Sequence, residues 1–322
     1  MLPSVPPGDS TYGWGDALVA ARVVRTRSLG SLREVTLSVP GWGGACAGQF
    51  AMLRLACSTR FLPRAFSVHT ERPAEAGGDG PRVTFLISCV GPGTAELATA
   101  PVGSVVHVIG PLGRGFDLDA LALAGAAAPP VLPASPVPPP PFPRLLIAGG
   151  GVGTAPLLLV VEQLAERVGG GDARLGGVLV LLGFRDASQA AVLEVFEPAV
   201  AALAATGVRA RLEAICEDGA LGREGLVTKL LSYELRAGDV VVACGAHAMC
   251  RAVWELGVAT GDVRAWFSLE AGMACGVGSC QGCVVTASDG RLVRVCREGP
   301  VFSGEEAFGD APHSCAAEGE AL

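Results

Sequence analysis

The chain has 322 residues, half of them hydrophobic, with 24 Lys and Arg against 31 Asp and Glu and a formal net charge of −7. That length suggests two or three domains with ample buried cores, and the acidic balance argues against nucleic acid, whose binding rests on cations that neutralise phosphates. The run MLPSVPPGDSTYGWGD lacks a basic segment followed by an apolar one, and stretches such as Leu145 to Ile147 and Val178 to Leu182 are far too short to span a bilayer. A cytoplasmic protein with neither nucleic acid nor membrane as partner is expected.

From Ala17 to about Gly110, apolar or alternating runs at Ala17–Arg25, Glu34–Val39, Phe50–Leu55, Val83–Val90 and Ser104–Ile109 are separated by Gly, Pro and Ser turns. Short strands at this density predict a small antiparallel barrel. Between Leu121 and Pro143 the composition shifts to Ala and Pro, including PVPPPPFP, which favours extended polyproline in an exposed insertion or linker. From Arg144 to about Thr260 strands alternate with helices. Leu145–Ala148 leads to a helix from Pro156, Val178–Gly183 to a helix from Ser188, then Arg209–Ile215, and Asp239–Cys244 to a helix from Ala248. That order is the mark of a parallel sheet covered by helices. The remainder, from Arg264, is a cysteine-rich segment and a polar tail. The expected fold is therefore multidomain, β plus α/β: a barrel domain over 14–118, the Ala/Pro-rich linker or insertion over 119–143, a parallel-sheet domain over 144–262, and a small cysteine-bearing domain with its tail over 263–322.

The cysteines carry the strongest chemistry. Cys275, Cys280 and Cys283 follow C-x4-C-x2-C spacing with Gly276, Gly278 and Gly282 between them, and Cys296 comes after a short hairpin. That is the spacing of a plant-type two-iron cluster, which needs four converging thiolates. A structural zinc site is the alternative, although zinc sites usually bring two close pairs of ligands. The other cysteines, Cys46, Cys57, Cys89, Cys216, Cys244, Cys250 and Cys315, read as reduced thiols. The first strand of the α/β segment runs into Gly149-Gly150-Gly151-Val152-Gly153-Thr154-Ala155-Pro156, where glycines and a helix N-terminus can receive a phosphate. The spacing departs from the full dinucleotide fingerprint, and a tight turn without ligand is the other reading. Cys244-Gly245 ends a strand where ligands of open sheets collect. In the barrel segment, Arg64-Ala65-Phe66-Ser67 joins a guanidinium to an aromatic ring and a hydroxyl, Gly91-Pro92-Gly93-Thr94 opens a helix, and Gly110 to Phe116 repeats the glycine-proline pattern. Singly, these are more often a solvated face or plain turns. His69, His107, His247 and His313 show no triad spacing, so no catalytic acid or base is expected.

With RAFSV at 64–68, VGPGT at 90–94, GPLGRGF at 110–116, GGGVGTAP at 149–156, GFRD at 183–186, EDGALGREGLVT at 217–228, ACGAHAM at 243–249, SLEAGMACGVGSCQGCVV at 268–285 and CREGPVF at 296–302 in this order, the chain resembles the ferredoxin–NADP reductase superfamily. Within it, the chain is similar to the electron-transfer subunits of two-subunit, NAD-linked dihydroorotate dehydrogenases. The short return from Cys283 to Cys296 is typical of that subunit. The resemblance implies a [2Fe–2S] cluster on Cys275, Cys280, Cys283 and Cys296, and FAD in the barrel domain. FAD would be lined by Arg64, Ala65, Phe66 and Ser67, by Leu86, Ile87 and Ser88, and at its phosphates by Gly93 and Thr94. NAD(H) would dock above Gly149, Gly150, Gly151, Gly153 and Thr154, near Gly183, Cys244 and Gly245. Ala65 and Ala246 stand where the family usually has proline, and Ser88 where it commonly has arginine, departures that bear on the pose of the cofactors.

The same resemblance implies an electron relay in pyrimidine biosynthesis. A separate FMN-containing catalytic subunit, joined with this one as a heterotetramer of two of each, would oxidise dihydroorotate. Its electrons would reach NAD through the cluster and FAD. A related subunit of an NADH-dependent ferredoxin:NADP reductase or of a sulfide dehydrogenase, and a non-enzymatic zinc-stabilised module, are the alternatives. Met273, Gly276, Val277 and Gly278, nearly uncharged, are expected to form the patch on which the partner docks.

Overall fold

The computed structural model describes residues 18–123, 142–172 and 174–309. Residues 124–141 of the Ala/Pro-rich segment and the tail after 309, with His313 and Cys315, lie outside the described residues. Six strands, β1 (Leu18–Leu29), β2 (Leu32–Ser38), β3 (Phe50–Leu55), β4 (Arg64–Arg72), β5 (Arg82–Ser88) and β6 (Val105–Leu112), close into a barrel in the order β1-β2-β5-β4-β3-β6. Its pairings are antiparallel. In β1 the period of two is direct: Ala21 and Val23 are buried while Ala20 and Arg22 face water. Helix α1 (Pro92–Ala98) follows β5, and α2 (Leu118–Leu123) follows the barrel.

The second sheet has the order β14-β11-β10-β7-β8-β9. Its strands are β7 (Arg144–Gly150), β8 (Gly177–Phe184), β9 (Ala210–Cys216), β10 (Val240–Cys244), β11 (Arg264–Ser268) and β14 (Val301–Ser303). All neighbours run parallel except β14, which is antiparallel to β11. Every residue of β8 is buried, which is why GVLVLLGF reads as one apolar run rather than an alternation. Helices α3 (Ala155–Gly169) and α5 (Leu193–Ala205) cover one face, the latter preceded by the single turn α4 (Ala187–Ala190). Helices α6 (Val227–Glu234) and α7 (His247–Thr260) cover the other. Among the described residues no helix is long and apolar enough to cross a membrane.

This sheet continues past residue 262, where the cysteine-bearing domain is expected to begin. Ser268 of β11 pairs with Val301 of β14, so residues 269–300 form an excursion between two bonded neighbours, with β12 (Val284–Thr286) and β13 (Leu292–Arg294) as its own small ribbon. The short α8 (Gly304–Ala307) ends the described chain.

Barrel and sheet meet along α3. The Gln163 side chain accepts from the Ala47 amide at 2.9 Å and donates to the Ala45 carbonyl at 2.7 Å. Thr70 donates to Glu162 at 2.5 Å, and Arg72 pairs with the same carboxylate. These bonds account for β4, absent from the runs read in the sequence: its polar residues interrupt the apolar pattern because their partners lie on α3. Fully buried His69, also on β4, bonds the Ala155 carbonyl through Nδ1 at 2.7 Å. A carbonyl only accepts, so Nδ1 carries the proton. Nε2 has no hydrogen-bond partner among the described residues and lies 3.8 Å from Glu34 Oε1.

Burial pushes the His69 imidazole from its ordinary 6.5 down to about 4. The folded state therefore refuses a proton that the unfolded state accepts. The stability this neutral ring contributes is present above pH 6.5 and is lost as pH falls toward 4, by up to about 3 kcal/mol. Denaturation midpoints measured from pH 7.5 to 4.5 should fall more steeply for the wild-type chain than for His69→Gln, which keeps a donor for Ala155. Parallel profiles would refute this.

Candidate functional site

Three concave features converge at the barrel–sheet junction. The first, a cleft of ≈ 330 Å³, has Ala65, Phe66 and Ser67 of β4, Leu86 and Ser88 of β5, and Thr94 on the barrel side. Val152, Ala155, Ser268, Leu269 and Glu270 face them from the sheet. Of the residues expected here, Arg64, Ile87 and Gly93 do not line it, and Ile87 points into the buried core. Arg64 directly precedes the lining residue Ala65, and its guanidinium bonds the backbone carbonyls of Leu62 (2.8 Å) and Pro63 (3.3 Å), with no carboxylate partner among the described residues. A Cβ at Gly93 would lie 2.8 Å from Arg64 Nη2, so glycine is what lets the guanidinium lie over this turn. Thr94 Oγ1 accepts from the amides of Val90 and Gly91, both at 3.1 Å, and shapes the same turn. A cation over a glycine turn beside an aromatic-walled slot fits a phosphate-linked planar ring system.

The second cleft, ≈ 470 Å³, opens at the C-terminal ends of the parallel strands, where α3 after β7 and α7 after the neighbouring β10 cover opposite faces of the sheet. Gly150, Gly151 and Gly183 line it with Arg185, Gln189, Glu217, Val227, Thr228 and Met249. Gly149, Gly153, Thr154 and Cys244, also expected to bind here, are buried behind it. Gly153 is a packing glycine, since its Cβ would come within 2.5 Å of the Cys244 carbonyl. Thr154 Oγ1 donates back to Gly151 at 2.9 Å, and burial holds the Cys244 thiol well above its ordinary value. Gly245 lines instead a small cavity of ≈ 60 Å³ shared with His247, Glu270 and Glu306.

Glu270 was not singled out from the sequence as a site residue. It is exposed as a residue, yet the walls of the two cavities it borders crowd its carboxyl, and that desolvation raises it. The signal that could have found it was its place directly after β11, a strand recognisable only once the sheet is seen to extend that far. The polar lining of the second cleft was missed for the same kind of reason, because Gln189, Glu217 and Met249 come from three separate connections.

The third feature is the cysteine loop, where the four thiols stand as two pairs. The Cys280 amide donates to Cys275 Sγ at 3.4 Å, and the Cys296 amide to Cys283 Sγ at 3.5 Å. Burial pushes the Cys275 thiol up, but the amides of Cys280, Val277 and Ser279 outweigh it and bring the group down to about 7. Burial and the neighbouring Cys283 push Cys296 up to about 12. Among the described residues no three His, Cys, Asp or Glu side chains are grouped to hold one metal ion. Two thiol pairs, with amides aimed at the sulfurs, fit two irons better than the single tetrahedron of a zinc site. Cys283 and Cys296 share a buried cluster with Phe50, Met52, Ile109 and Leu112 of the barrel.

The expected docking patch is not an open surface. Gly276 and Gly278 are buried and Met273 and Val277 half-buried, whereas Ser279, Cys280, Gln281 and Gly282 are the exposed rim. Gly276 is pressed on Met52, and Gly278 on Arg294 and Arg297.

A six-stranded flavin-type barrel joined to a parallel sheet, with a cysteine-rich lobe between its last two strands, defines an iron–sulfur member of the ferredoxin–NADP reductase fold class. Residues 270–307 match the iron–sulfur cluster binding domain of dihydroorotate dehydrogenase B. The chain is 31% identical over 292 residues to the dihydroorotate dehydrogenase B (NAD(+)) electron transfer subunit of Caldanaerobacter subterraneus subsp. tengcongensis, covering 89% of this chain and 96% of that one. To the same subunit of Bacillus caldolyticus it is 36% identical over 227 residues, 69% and 73% of the two chains. Among solved structures it resembles an NADH-dependent reduced ferredoxin–NADP oxidoreductase (TM-score 0.68, 23% identity, 90% of each chain). It also resembles a ferredoxin NADP+ reductase from Neisseria gonorrhoeae with bound FAD and NADP (TM-score 0.51, 17% identity, 76% of this chain and 92% of that one). The chain belongs to the family of dihydroorotate dehydrogenase B electron transfer subunits.

Gly276 offers a direct check on how tightly the loop is seated. It has φ +71°, and an added Cβ would lie 2.4 Å from Met52 Cγ. Gly276→Ala should therefore destabilise the chain by about 1–3 kcal/mol through strain and overpacking, read as a lowered denaturation midpoint. A midpoint equal to wild type would mean the loop is not seated on the barrel.

Proposed function

We propose that this chain carries electrons between the FMN of a dihydroorotate dehydrogenase catalytic subunit and NAD, using a [2Fe–2S] cluster and FAD, within a cytoplasmic heterotetramer of two chains of each kind. Phe50 carries the reading. It lines the barrel cleft and belongs to the same buried cluster as Cys283 and Cys296, so the flavin-type slot and the inner thiols border one apolar core. In domain terms, residues 14–118 would hold the flavin and 144–262, with β11 and β14, the dinucleotide. The excursion within 263–322 would hold the cluster on Cys275, Cys280, Cys283 and Cys296.

Bound flavin supplies the exchange between two-electron hydride chemistry with NAD(H) and single-electron chemistry with the cluster. The chain's own residues bind and orient. Arg64, Gly93 and Thr94 receive the flavin phosphates, and Ala65, Phe66, Ser67, Leu86 and Ser88 wall the ring. Gly150, Gly151 and Gly183 let the dinucleotide approach the backbone, with Gly149, Gly153, Thr154, Cys244, Gly245 and Ile87 setting the turns and core behind. No side chain is asked to act as general acid or base. Dihydroorotate would bind only to the partner.

Two variants and one reconstitution test this. Cys280→Ser and Cys283→Ser should each lose the cluster and NAD-linked dihydroorotate oxidation with the partner, while flavin and NADH-to-dye transfer persist; iron retained with oxidation unchanged would sink the assignment. Arg64→Ala should weaken FAD retention by roughly 1.5–3 kcal/mol, since a charge-assisted phosphate bond is lost. Flavin that stays bound on gel filtration at low concentration would contradict it. NAD-linked dihydroorotate oxidation should require both chains together. Copurification with another oxidoreductase, without stimulation of that reaction, would move the chain to a ferredoxin:NADP reductase or sulfide dehydrogenase. Zinc in place of iron and sulfide would make it a binding module.

A further inference from the structure

The return limb of the cysteine excursion carries an ion pair that the relay above does not use. Arg294, the last residue of β13, meets the Glu298 carboxylate with Nε–Oε2 at 3.1 Å and Nη2–Oε1 at 2.5 Å. The same carboxylate accepts the Arg294 backbone amide at 2.8 Å. The remaining nitrogen, Nη1, donates to the Gly278 carbonyl at 3.1 Å. Gly278 lies between Cys275 and Cys280 at φ +83°. One side chain thus ties the loop that bears the first cysteines to the limb that bears the last.

Both side chains are 34% exposed, and at that exposure an ion pair adds little to stability. Its location is more informative. Arg294 stands two positions before Cys296 and holds the Gly278 carbonyl between Cys275 and Cys280, while Cys283 and Cys296 are packed into the core shared with the barrel. A fixed cation there, compensated by a fixed anion, is a charge arrangement whose two halves can be removed separately.

We propose that the Arg294–Glu298 pair is a positioning and tuning element for the cluster, holding the Gly278 turn in place and setting the reduction potential through the balance of its two charges. The inference rests on the reading of the four cysteines as [2Fe–2S] ligands. One-electron reduction, by an external donor and with no bond made or broken, adds negative charge among the thiolates. An uncompensated cation beside them favours the reduced form, and an uncompensated anion opposes it.

The test is a redox titration of the cluster-loaded chain, followed by the EPR signal of the reduced cluster. It takes Arg294→Gln, Glu298→Gln, the double variant and Arg294→Lys. Arg294→Gln should make cluster reduction about tenfold less favourable, a fall of about 59 mV for one electron. Glu298→Gln should raise the potential by a similar amount, and the double variant should return most of the way to wild type. Higher salt should shrink both shifts, since the pair is partly exposed. A merely structural role would move both singles in the same direction or move neither, and either result overturns the proposal. Should Arg294→Gln fail to hold iron, the decision passes to the other singles. A raised potential in Glu298→Gln with a near-wild-type one in Arg294→Lys supports the proposal, and any other combination overturns it. Wild-type chain that takes up no iron and sulfide rejects the cluster reading itself, whereas a loaded wild type with same-sign shifts rejects only this inference.

Discussion

The rest of the site depends on one constraint: the cysteine segment leaves and re-enters the sheet at a single point. Ser268 pairs with Val301 and Phe267 with Phe302, so everything from 269 to 300 must close on itself. The ribbon inside it, β12 with β13, has three residues in each strand, far below what stands alone in water. Its shape therefore comes from burial. Val293, Val295, Cys283 and Cys296 enter one cluster with Phe50, Met52, Ile109, Leu112 and Phe302, drawn from the barrel and the sheet edge alike. The lobe is thus a wedge whose packing requires both larger units to be in place.

What keeps those units in place is α3. Its first residue, Ala155, lines the barrel-side cleft and also accepts the His69 bond from β4. Two turns on, Glu162 and Gln163 hold Thr70, Arg72, Ala45 and Ala47. The exposed Arg72 pair adds little by itself, but the apolar core runs without a break from Val68 and Phe85 in the barrel to Leu158 and Val161 on the helix. The width of the cleft between Ala65–Ser67 and Val152–Ala155 is in consequence set by a packed interface rather than by a hinge.

Much of this was legible in the residues. The continuous run of β8, the period of β1, the strand-to-helix passage at Gly149–Pro156 and the C-x4-C-x2-C spacing are local signals, and each appears where expected. What escaped was non-local. β4 is interrupted by polar residues because their partners lie about 90 positions away on α3. β14 is a three-residue strand defined by its neighbour β11. The glycines at 149–153 all look alike in sequence, yet Gly150 and Gly151 face the cleft while Gly149 and Gly153 are packed against Leu157 and the Cys244 carbonyl. Gly276 and Gly278 look like an exposed uncharged patch for the same reason: the sequence does not show Met52 and Arg294 lying over them. Helix α6 is a different case, because Val227, Leu230 and Leu231 carry a helical spacing that was there to be read.

The two cysteine pairs differ in surroundings, and the difference gives the lobe a direction. Cys280 lies on the rim with Ser279, Gln281 and Gly282, open to whatever approaches. Cys283 and Cys296 are buried in the cluster that includes Phe50, which also walls the cleft on the barrel side. A one-electron carrier bridging these pairs would have one end at the surface and the other within the apolar core that borders the cleft. Such a core excludes water from the inner end and holds it in place, because close-packed cores yield little. The outer pair is reached from solvent at the four-residue rim. The inner end is held by the folding of the barrel against the sheet, since Phe50, Met52, Ile109 and Leu112 share its buried cluster.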